Sequence, residues 1–222
     1  MPSVKVAKKS TDTDMTPFVD IAFLILSFFI MATKFKPPEP VPITTPGSVI
    51  SQKLPESNAV MVIVDSTNRV YFSVLSDKDK TKFDAIIQDI NKEQNLNLSA
   101  SEIANYRQTY AVGVPFGGLK QLLSTPSADQ GKLNQPGIPV LDTTNNQLYW
   151  WIAAAKKAFA GEQLKFLIKG DGQSKYPTFE AVVYALKKND EFKYNLVTAL
   201  DDVPANTELE RFLNAQGRVK SE

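Results

Sequence analysis

The sequence predicts a single N-terminal transmembrane helix followed by a mixed α/β domain. A continuous apolar run covers residues 16–33, and Asp20 is its only ionisable side chain. A proline-rich stretch comes next, and β-branched runs and apolar residues at helical spacing fill the remainder. These observations predict a short tail over 1–14, the helix over 15–35, a proline-rich linker over 36–57, the α/β domain over 58–200 and a C-terminal tail over 201–222.

Composition excludes several classes of function. The 222 residues carry a formal net charge of +1, which gives no field that would favour nucleic acid as a partner. The chain has no histidine and no cysteine, so the usual zinc sites, a Ser-His-Asp triad and a disulfide framework are excluded. We expect no metal, no cofactor and no enzymatic activity. The only pattern that favours a hydrolase is Gly170-Asp171-Gly172 with several serines, and Gly-Asp-Gly is more typical of a turn.

The apolar run is predicted to be a retained membrane anchor. A spanning helix needs roughly 17–25 apolar residues, and the run is at the short end, where the stems of Lys34 and Lys36 extend it at one boundary. A cleaved signal peptide is disfavoured by Asp20. It is also disfavoured by Ile30, which is too large for the position that would be third from the end if cleavage occurred after Ala32. Three lysines precede the helix and two follow it, which favours a cytoplasmic N-terminus.

The α/β domain is expected to begin with a hairpin and to end with a β-α-β unit. Two β-branched runs, 59–64 and 70–74, flank turn residues and predict the hairpin. Apolar residues at helical spacing predict a helix over about 79–95. The closing unit consists of a strand over 164–168, a helix opened by Pro177, and a strand over 195–199. The tail, with Leu209, Phe212 and Leu213, is expected to hold one short helix.

The middle segment, about 96–160, is expected to contain two helices, a short strand and a loop. Ser99 and Glu102 form a capping-box pattern for a helix that carries Ile103, Tyr106 and Tyr110. The run 112–116, ended by two glycines, predicts a strand, and the proline-containing stretch 124–145 predicts an exposed loop. A helix over 146–160 is expected to end at Gly161, with Trp150 and Trp151 in the core.

Helical spacing places Thr16, Asp20 and Ser27 close to one face of the apolar helix. A polar stripe on a spanning helix must face protein or water rather than lipid. A carboxyl group that alternates between a hydrated path and a dehydrated protein surface can bind and release a proton. The alternative is that Asp20 and Ser27 only join helices through hydrogen bonds.

The residues around Asp20 resemble a known signature. The sequence DMTPFVD over Asp14–Asp20, followed by the apolar Ile21–Leu26, is similar to the signature of the ExbD/TolR family, whose members are proton-motive-force transducers of the bacterial inner membrane. The order of tail, single helix, proline-rich linker and α/β domain also resembles that family, as does the closing β-α-β unit. The segment 96–160 has no counterpart in the family pattern and is interpreted as an atypical insertion.

The resemblance implies a role for Asp20 and a set of partners. Asp20 would be the proton carrier, and Thr16 and Ser27, which helical spacing places beside it, would be its supporting polar face. The partners would be pore-forming ExbB/TolQ-like membrane subunits, a TonB-like periplasmic protein and a second copy of the chain in a dimer. The protein would cross the inner membrane once, with its N-terminus cytoplasmic and its α/β domain periplasmic.

Several alternatives stay open from the sequence. Within the family, the machine served is either a TonB-linked importer or a TolR-like envelope-maintenance, motility or secretion system. Outside it, the chain would be an anchored periplasmic binding module with a structural Asp20. The linker is either a semi-rigid spacer or a docking segment.

Overall fold

The computed structural model describes residues 15–32, 41–48, 54–55, 57–76 and 80–200, with single residues at 207, 208 and 211. The chain divides into two units, residues 1–37 and 38–222. Most of the C-terminal tail, including Leu209, Phe212 and Leu213, lies outside the described residues. The predicted tail helix falls in this part of the chain.

The described part of the first unit is one helix, α1, which covers Thr16–Ala32. Pro17 lies in its first turn, where its missing N–H removes no helical hydrogen bond. All its side chains are exposed except that of Ser27, which is half-buried. Across the described ranges, none of the helices combines the length and the apolar character that crossing a membrane requires.

The described part of the second unit is a mixed α/β fold, as the sequence predicted. Its elements follow one another in this order: β1 (Gly47–Ser48), β2 (Ala59–Val64), β3 (Val70–Leu75), α2 (Thr81–Gln94), α3 (Ala100–Tyr106), α4 (Phe116–Ser124), α5 (Ser127–Gln130), α6 (Leu148–Ala158), β4 (Lys165–Gly170), α7 (Tyr176–Lys188), β5 (Asn195–Val197) and β6 (Ala199–Leu200).

The main sheet has the strand order β3-β2-β4-β5. Strands β2 and β3 pair antiparallel from Ala59↔Leu75 to Val64↔Val70, so the predicted hairpin is confirmed. Strand β4 pairs parallel with both β2 and β5, and α7 connects β4 to β5, so the β-α-β unit is confirmed as well. Strand β5 ends at Val197, two residues before the predicted end, and the chain then pairs with β1 as β6.

The alternation of side chains along β2 divides the apolar residues between two faces of the sheet. Val60, Val62 and Val64 belong to the large core beneath the helices, which includes Ile86 of α2 and Trp151 of α6. Ala59, Met61 and Ile63 belong to a second, smaller cluster. All six residues of β2 are buried, which explains why this strand reads as a continuous apolar run.

The second face of the sheet is covered by residues that the sequence assigned to the linker. Val41 and Ile43 pack against the smaller cluster. Further along, β1 pairs parallel with β6 through Gly47↔Ala199 and Ser48↔Leu200. Residues 41–48 are therefore bound to the α/β unit, whatever the mechanical role of the linker as a whole.

Two predictions for the middle segment are wrong. Residues 112–116 form no strand beyond one bridge, Val112↔Phe72. The two glycines lie inside helix α4, because Leu119, Leu122 and Leu123 give this segment an apolar helical face that is buried. The stretch 124–145 contains helix α5 and buries Gln130, Gln135, Ile138 and Val140, so it is not simply an exposed loop.

The other predicted helices of this segment are confirmed with small changes. The capping box is present, since the Ser99 hydroxyl accepts the Glu102 N–H and the Glu102 carboxylate accepts the Ser99 N–H. Helix α3 ends at Tyr106, so Tyr110 lies beyond it. Gly161 adopts the positive φ of 86° expected after α6. Trp151 is fully buried, whereas Trp150 is 38% exposed, so only one member of the pair is in the core.

Candidate functional site

Asp20 lies in the second turn of α1 and is the only ionisable residue of that helix. Its neighbours Met15, Thr16, Pro17 and Phe23, together with Val19, line a shallow open hollow around it. No basic residue occurs in α1, and no ion pair to Asp20 is formed within the described residues. Within the described residues, an ionised Asp20 therefore has no counter-charge.

The structure places Thr16, Asp20 and Ser27 on one side of α1. With about 100° of rotation per residue, Thr16 lies about 40° and Ser27 about 20° from Asp20 around the helix axis. The Ser27 hydroxyl donates a hydrogen bond of 2.9 Å to the Leu24 carbonyl of the same helix. Its proton is thus committed within the helix, and only the hydroxyl lone pairs remain for a partner. The functional roles of these three residues stay predictions.

Asp171, in the Gly-Asp-Gly sequence, serves a structural purpose in this fold. One carboxylate oxygen accepts the Gln173 N–H at 2.9 Å, and the other accepts the Thr44 N–H at 2.9 Å. The Ser174 N–H and hydroxyl both donate to the Asp171 carbonyl. This arrangement is a turn that also holds residue 44, and it leaves neither carboxylate oxygen without a partner. Sequence reasoning recognised the turn but missed its long-range contact.

Asp65 occupies the equivalent place at the end of the neighbouring parallel strand. Its side chain is fully buried and accepts hydrogen bonds from the N–H groups of Thr67 and Arg69, the Thr67 hydroxyl and the Arg69 guanidinium. Burial on its own raises the pKa of this carboxyl, but the hydrogen bonds and the charge of Arg69 outweigh it, so the pKa is lowered. Asp65 therefore stays ionised and fixes the β2–β3 turn.

No group of three or more potential metal ligands occurs in the part of the chain that the structure describes. Gly172 and the Asp171 turn offer no nucleophile with a neighbouring base. Among the described residues, the group best placed for proton chemistry is the single carboxyl of α1, on a helix whose other polar side chains are hydroxyls.

The comparison with protein families identifies the chain. The model of the family described as biopolymer transport protein ExbD/TolR matches residues 7–201. The chain belongs to the ExbD/TolR family. No curated protein and no solved structure matches it.

The family match confirms the resemblance drawn from the residues around Asp20. It begins before α1 and ends one residue after β6, so it spans the helix, the linker, the middle segment and every strand of the α/β unit that the structure describes. ExbD/TolR proteins take part in biopolymer transport and energy transduction. Membership thus gives the chain a transport-associated role, while the machine it serves is a finer question.

Proposed function

We propose that this protein is an ExbD-like subunit of an inner-membrane motor that couples proton flow to energised transport through a TonB-like partner. A TolR-like role in envelope maintenance, or a stator role in motility or secretion, uses the same chemistry and is the alternative within the family. The observation that carries the proposal is Asp20, the single carboxylate of α1, on a helix whose other polar residues are only Thr16 and Ser27.

In this proposal α1 belongs to the membrane anchor, with a cytoplasmic N-terminus and a periplasmic α/β unit. A helix of 17 residues rises about 26 Å, a few ångströms less than a hydrocarbon core of about 30 Å. Local thinning of the bilayer and the long stems of Lys34 and Lys36 would make up the difference. The orientation rests on the three lysines of the N-terminal tail and on family membership.

The environment of Asp20 indicates what the partners must supply. An ionised aspartate at the centre of a bilayer costs about 2.5–3.5 kcal/mol on insertion scales, and no cation of α1 offsets that cost. ExbB/TolQ-like pore subunits would provide polar groups or a water path that faces the Thr16–Asp20–Ser27 stripe. A second copy of the chain would pair with the first through the α/β unit.

Proton flow can then do mechanical work. One elementary charge that crosses 100 mV releases about 2.3 kcal/mol. Protonation of Asp20 removes the charge that ties the helix to polar groups of the pore, so the helix or the surrounding ring is free to rotate. Residues beyond the helix pass this displacement to the periplasmic unit and on to a TonB-like protein.

Substitutions at Asp20 test the proposal. Asp20→Asn keeps the shape and most hydrogen bonding but cannot carry a proton, whereas Asp20→Glu keeps the carboxyl group on a longer stem. In a force-dependent transport assay we expect no activity for Asn and partial activity for Glu, with normal co-purification of the pore subunits in both. Ser27→Ala tests the supporting polar stripe, and it should lower transport much less than Asp20→Asn, because a serine hydroxyl carries no titrating proton and its own proton is already bound to the Leu24 carbonyl.

Wild-type transport by Asp20→Asn would overturn the proton role. It would instead favour an anchored periplasmic binding module in which Asp20 only joins helices. Loss of co-purification in the Asn variant, with transport lost as a consequence, would also place Asp20 in assembly rather than in proton transfer.

A further inference from the structure

The main sheet has an uncovered apolar face beside its last strand. Leu196 of β5 pairs with Ile168 of β4, so both side chains lie on the same face of the sheet, and Ile168 is buried in the large core beneath the helices. Leu196 is nevertheless 56% exposed. Among the described residues, the helix layer therefore stops short of β5, which is an outer strand of the sheet.

Aromatic side chains near both ends of β5 extend this face. Phe192 precedes the strand, Tyr176 is the first residue of α7, and each is 70% exposed. Because α7 runs from the carboxyl end of β4 back to the start of β5, these two rings belong to opposite ends of the strand. Phe179 and Tyr194 follow them in sequence and pack, half-buried, against the large core. These four rings and Leu196 are called the β5 face below.

The opposite edge of the sheet is covered by the chain itself. Val112 and Phe72 of β3 exchange both backbone hydrogen bonds at 2.8 Å, and the Ile138 N–H donates to the Val70 carbonyl at 2.8 Å. Residues of the middle segment thus occupy the outer side of β3. An open edge strand invites pairing with another chain, and proteins commonly cover such edges with a helix or a loop. Within the described residues, β5 has no such cover.

The C-terminal tail leaves the domain close to one end of the β5 face. It follows strand β6, where the Ala199 N–H donates to the Pro46 carbonyl at 3.0 Å. Thr44, two residues before Pro46, accepts the Gly172 N–H at 3.0 Å, and Gly172 lies in the turn that leads into α7. The exit from β6 is therefore near the start of α7.

The tail carries an apolar stripe of the kind that covers such a face. Its large apolar residues recur at the i, i+3 and i+4 spacing of one helical side, namely Leu209, Phe212 and Leu213. Glu208 and Arg211 are helical and exposed, and the Arg211 N–H donates to the Thr207 carbonyl at 3.3 Å. This bond spans one helical turn, so it agrees with the helix that the spacing predicts.

Charge favours the same pairing. Four acidic residues of the tail precede its first basic residue, namely Asp201, Asp202, Glu208 and Glu210. Exposed lysines surround the β5 face, with Lys175 just before α7, Lys187 in its last turn and Lys193 just before β5. Glu180 is the only acid of α7. An acidic segment that approaches this basic rim gains favourable electrostatic energy.

The tail is long enough to reach the whole β5 face. Leu209 comes nine residues after Leu200. At about 3.3 Å per residue, an extended chain of that length spans about 30 Å. Helix α7, with its 13 residues, is about 20 Å long. The apolar stripe can therefore be placed over β5 without moving any strand.

We propose that residues 207–216 form a helix that docks on the β5 face of the same chain. Its apolar stripe covers Leu196 and the rings around it, and the acidic residues of the tail lie toward the surrounding lysines. The chain then shields the β5 side of its sheet with its C-terminal tail, as it shields the β3 side with its middle segment. This inference does not depend on the role of Asp20.

The experiment places a spin label on the tail and detects it at the β5 face. The chain has no cysteine, so Arg211→Cys provides one attachment point at an exposed residue. The full chain is studied in detergent micelles with ¹³C-labelled leucine methyl groups. The Leu196 methyls should lose most of their intensity relative to a sample with reduced label. The methyls of Leu119, in helix α4 on the β3 side of the sheet, should keep most of theirs.

Matched variants of the tail separate docking from mere attachment of the label near the sheet. Leu209→Ser combined with Phe212→Ser removes the apolar stripe and should restore the intensity of the Leu196 methyls. Asn214→Ser changes a residue on the opposite side of the predicted helix and should leave the broadening as it was. All of these changes lie in the tail, outside the packed core, so the α/β fold should be retained.

Three outcomes would overturn the inference. The first is full intensity of the Leu196 methyls in the spin-labelled chain. The second is equal broadening in the double serine variant, which would mean that attachment alone brings the label near. The third comes from a mixture of spin-labelled chains and ¹³C-labelled chains without the spin label. Broadening of Leu196 in that mixture as strong as within one chain would assign the β5 face to a second copy.

Discussion

The Asp171 carboxylate accepts the backbone N–H of Thr44 at 2.9 Å, across 127 positions of sequence. The Gly172 N–H donates in return to the Thr44 carbonyl at 3.0 Å. These bonds hold the extended segment 41–48 against the carboxyl end of β4, while Val41 and Ile43 cover the second face of the sheet. The segment that follows α1 in sequence is thus anchored to the α/β unit at a defined point.

Asp171→Ala should release this segment without unfolding the sheet. A hydrogen bond to a charged acceptor contributes about 1.5–3 kcal/mol, so we expect the Thr44 amide to exchange with solvent at least about tenfold faster. The Ala199 amide, which donates to the Pro46 carbonyl, should also exchange faster. Amide hydrogen exchange on the full chain measures both.

Asp142→Ala is the control, because Asp142 accepts similar bonds from Thr144 in an exposed turn. It should leave the Thr44 amide unaffected. An unchanged Thr44 exchange rate in Asp171→Ala would show that the packing of Val41 and Ile43 alone holds the segment.

The contribution of Asp65 to the free energy of unfolding should depend on pH. Its pKa is lowered in the folded state, since the hydrogen bonds and charge of Arg69 together with the Thr67 bonds outweigh the effect of burial. Its contribution is therefore complete above the unfolded value of about 3.9 and is lost as the pH falls through the lower folded value. The difference in free energy of unfolding between wild type and Asp65→Asn should be constant from pH 5 to 7, because at about one pH unit above the unfolded pKa nearly all of the carboxyl is ionised. The difference should shrink below about pH 4, where the carboxyl takes up a proton.

Tryptophan fluorescence during urea unfolding at each pH gives this difference, since both tryptophans lie in the α/β unit. Asp129→Asn provides a control for general acid effects, because Asp129 is largely exposed. A difference for Asp65→Asn that does not change with pH would mean that the carboxyl makes no net ionic contribution to the turn.

The strands and the helices with clear apolar periodicity could be predicted from sequence because one local signal determined each. The β2–β3 hairpin and the Ser99–Glu102 capping box are examples. Helix α4 was missed because glycines at 117 and 118 usually break a helix, and here burial of Leu119 and Leu122 compensates for their poor propensity. Gln130 and Gln135 were missed because polar residues give no sign in sequence that they are buried in a network.

The candidate site also has a part that the sequence predicts, and a long-range contact elsewhere in the fold that it does not predict. Asp20 could be found because a single carboxylate in an apolar run is a local feature of the sequence. The contact between Thr44 and Asp171 could not, because it depends on the chain returning over the sheet after 127 positions. For the same reason, the sequence alone could not decide whether residues 41–48 of the linker dock on the domain.

The adjacent tryptophans should differ sharply in their effect on stability. Trp151 is fully buried and packs within 5.2 Å of Phe72 and 6.0 Å of Tyr106, measured between ring centroids. Trp151→Ala should therefore cost about 3–5 kcal/mol. Trp150→Ala, at a partly exposed position, should cost less than about 1 kcal/mol. Urea unfolding followed by far-UV circular dichroism compares the two, and similar costs would contradict the assigned packing.

Trp151→Phe adds a further distinction. The Trp151 Nε1 atom is buried and has no hydrogen-bond partner among the residues that the structure describes. Phenylalanine removes this unsatisfied donor while it keeps an aromatic ring in the cluster, so its cost should be clearly smaller than that of alanine. A cost equal to that of alanine would show that the volume of the indole, rather than its aromatic contacts, determines stability here.

The segment 41–48 gives the last prediction, which concerns coupling between helix and domain. Burial alternates along it, with Val41 and Ile43 half-buried and Pro42 and Thr44 exposed. Val41→Asp puts a charge against the apolar second face of the sheet, whereas Pro42→Asp puts the same charge in solvent one residue away. We expect assembled protein in both cases, but energised transport strongly reduced only by Val41→Asp.

A stiff-spacer role makes a different prediction. Replacing Pro37, Pro38, Pro40 and Pro42 together with Gly and Ser keeps the length of the linker but removes its stiffness; the first three of these prolines lie outside the described residues. If the stiffness of the linker transmits the displacement, energised transport should be lower in the proline-replacement variant than in Val41→Asp. If docking of residues 41–48 transmits it, transport should be lower in Val41→Asp. The contacts of Val41 and Ile43 favour docking. Full transport in both variants would reduce the segment to a tether, and displacement of α1 would then have to reach the α/β unit by another route.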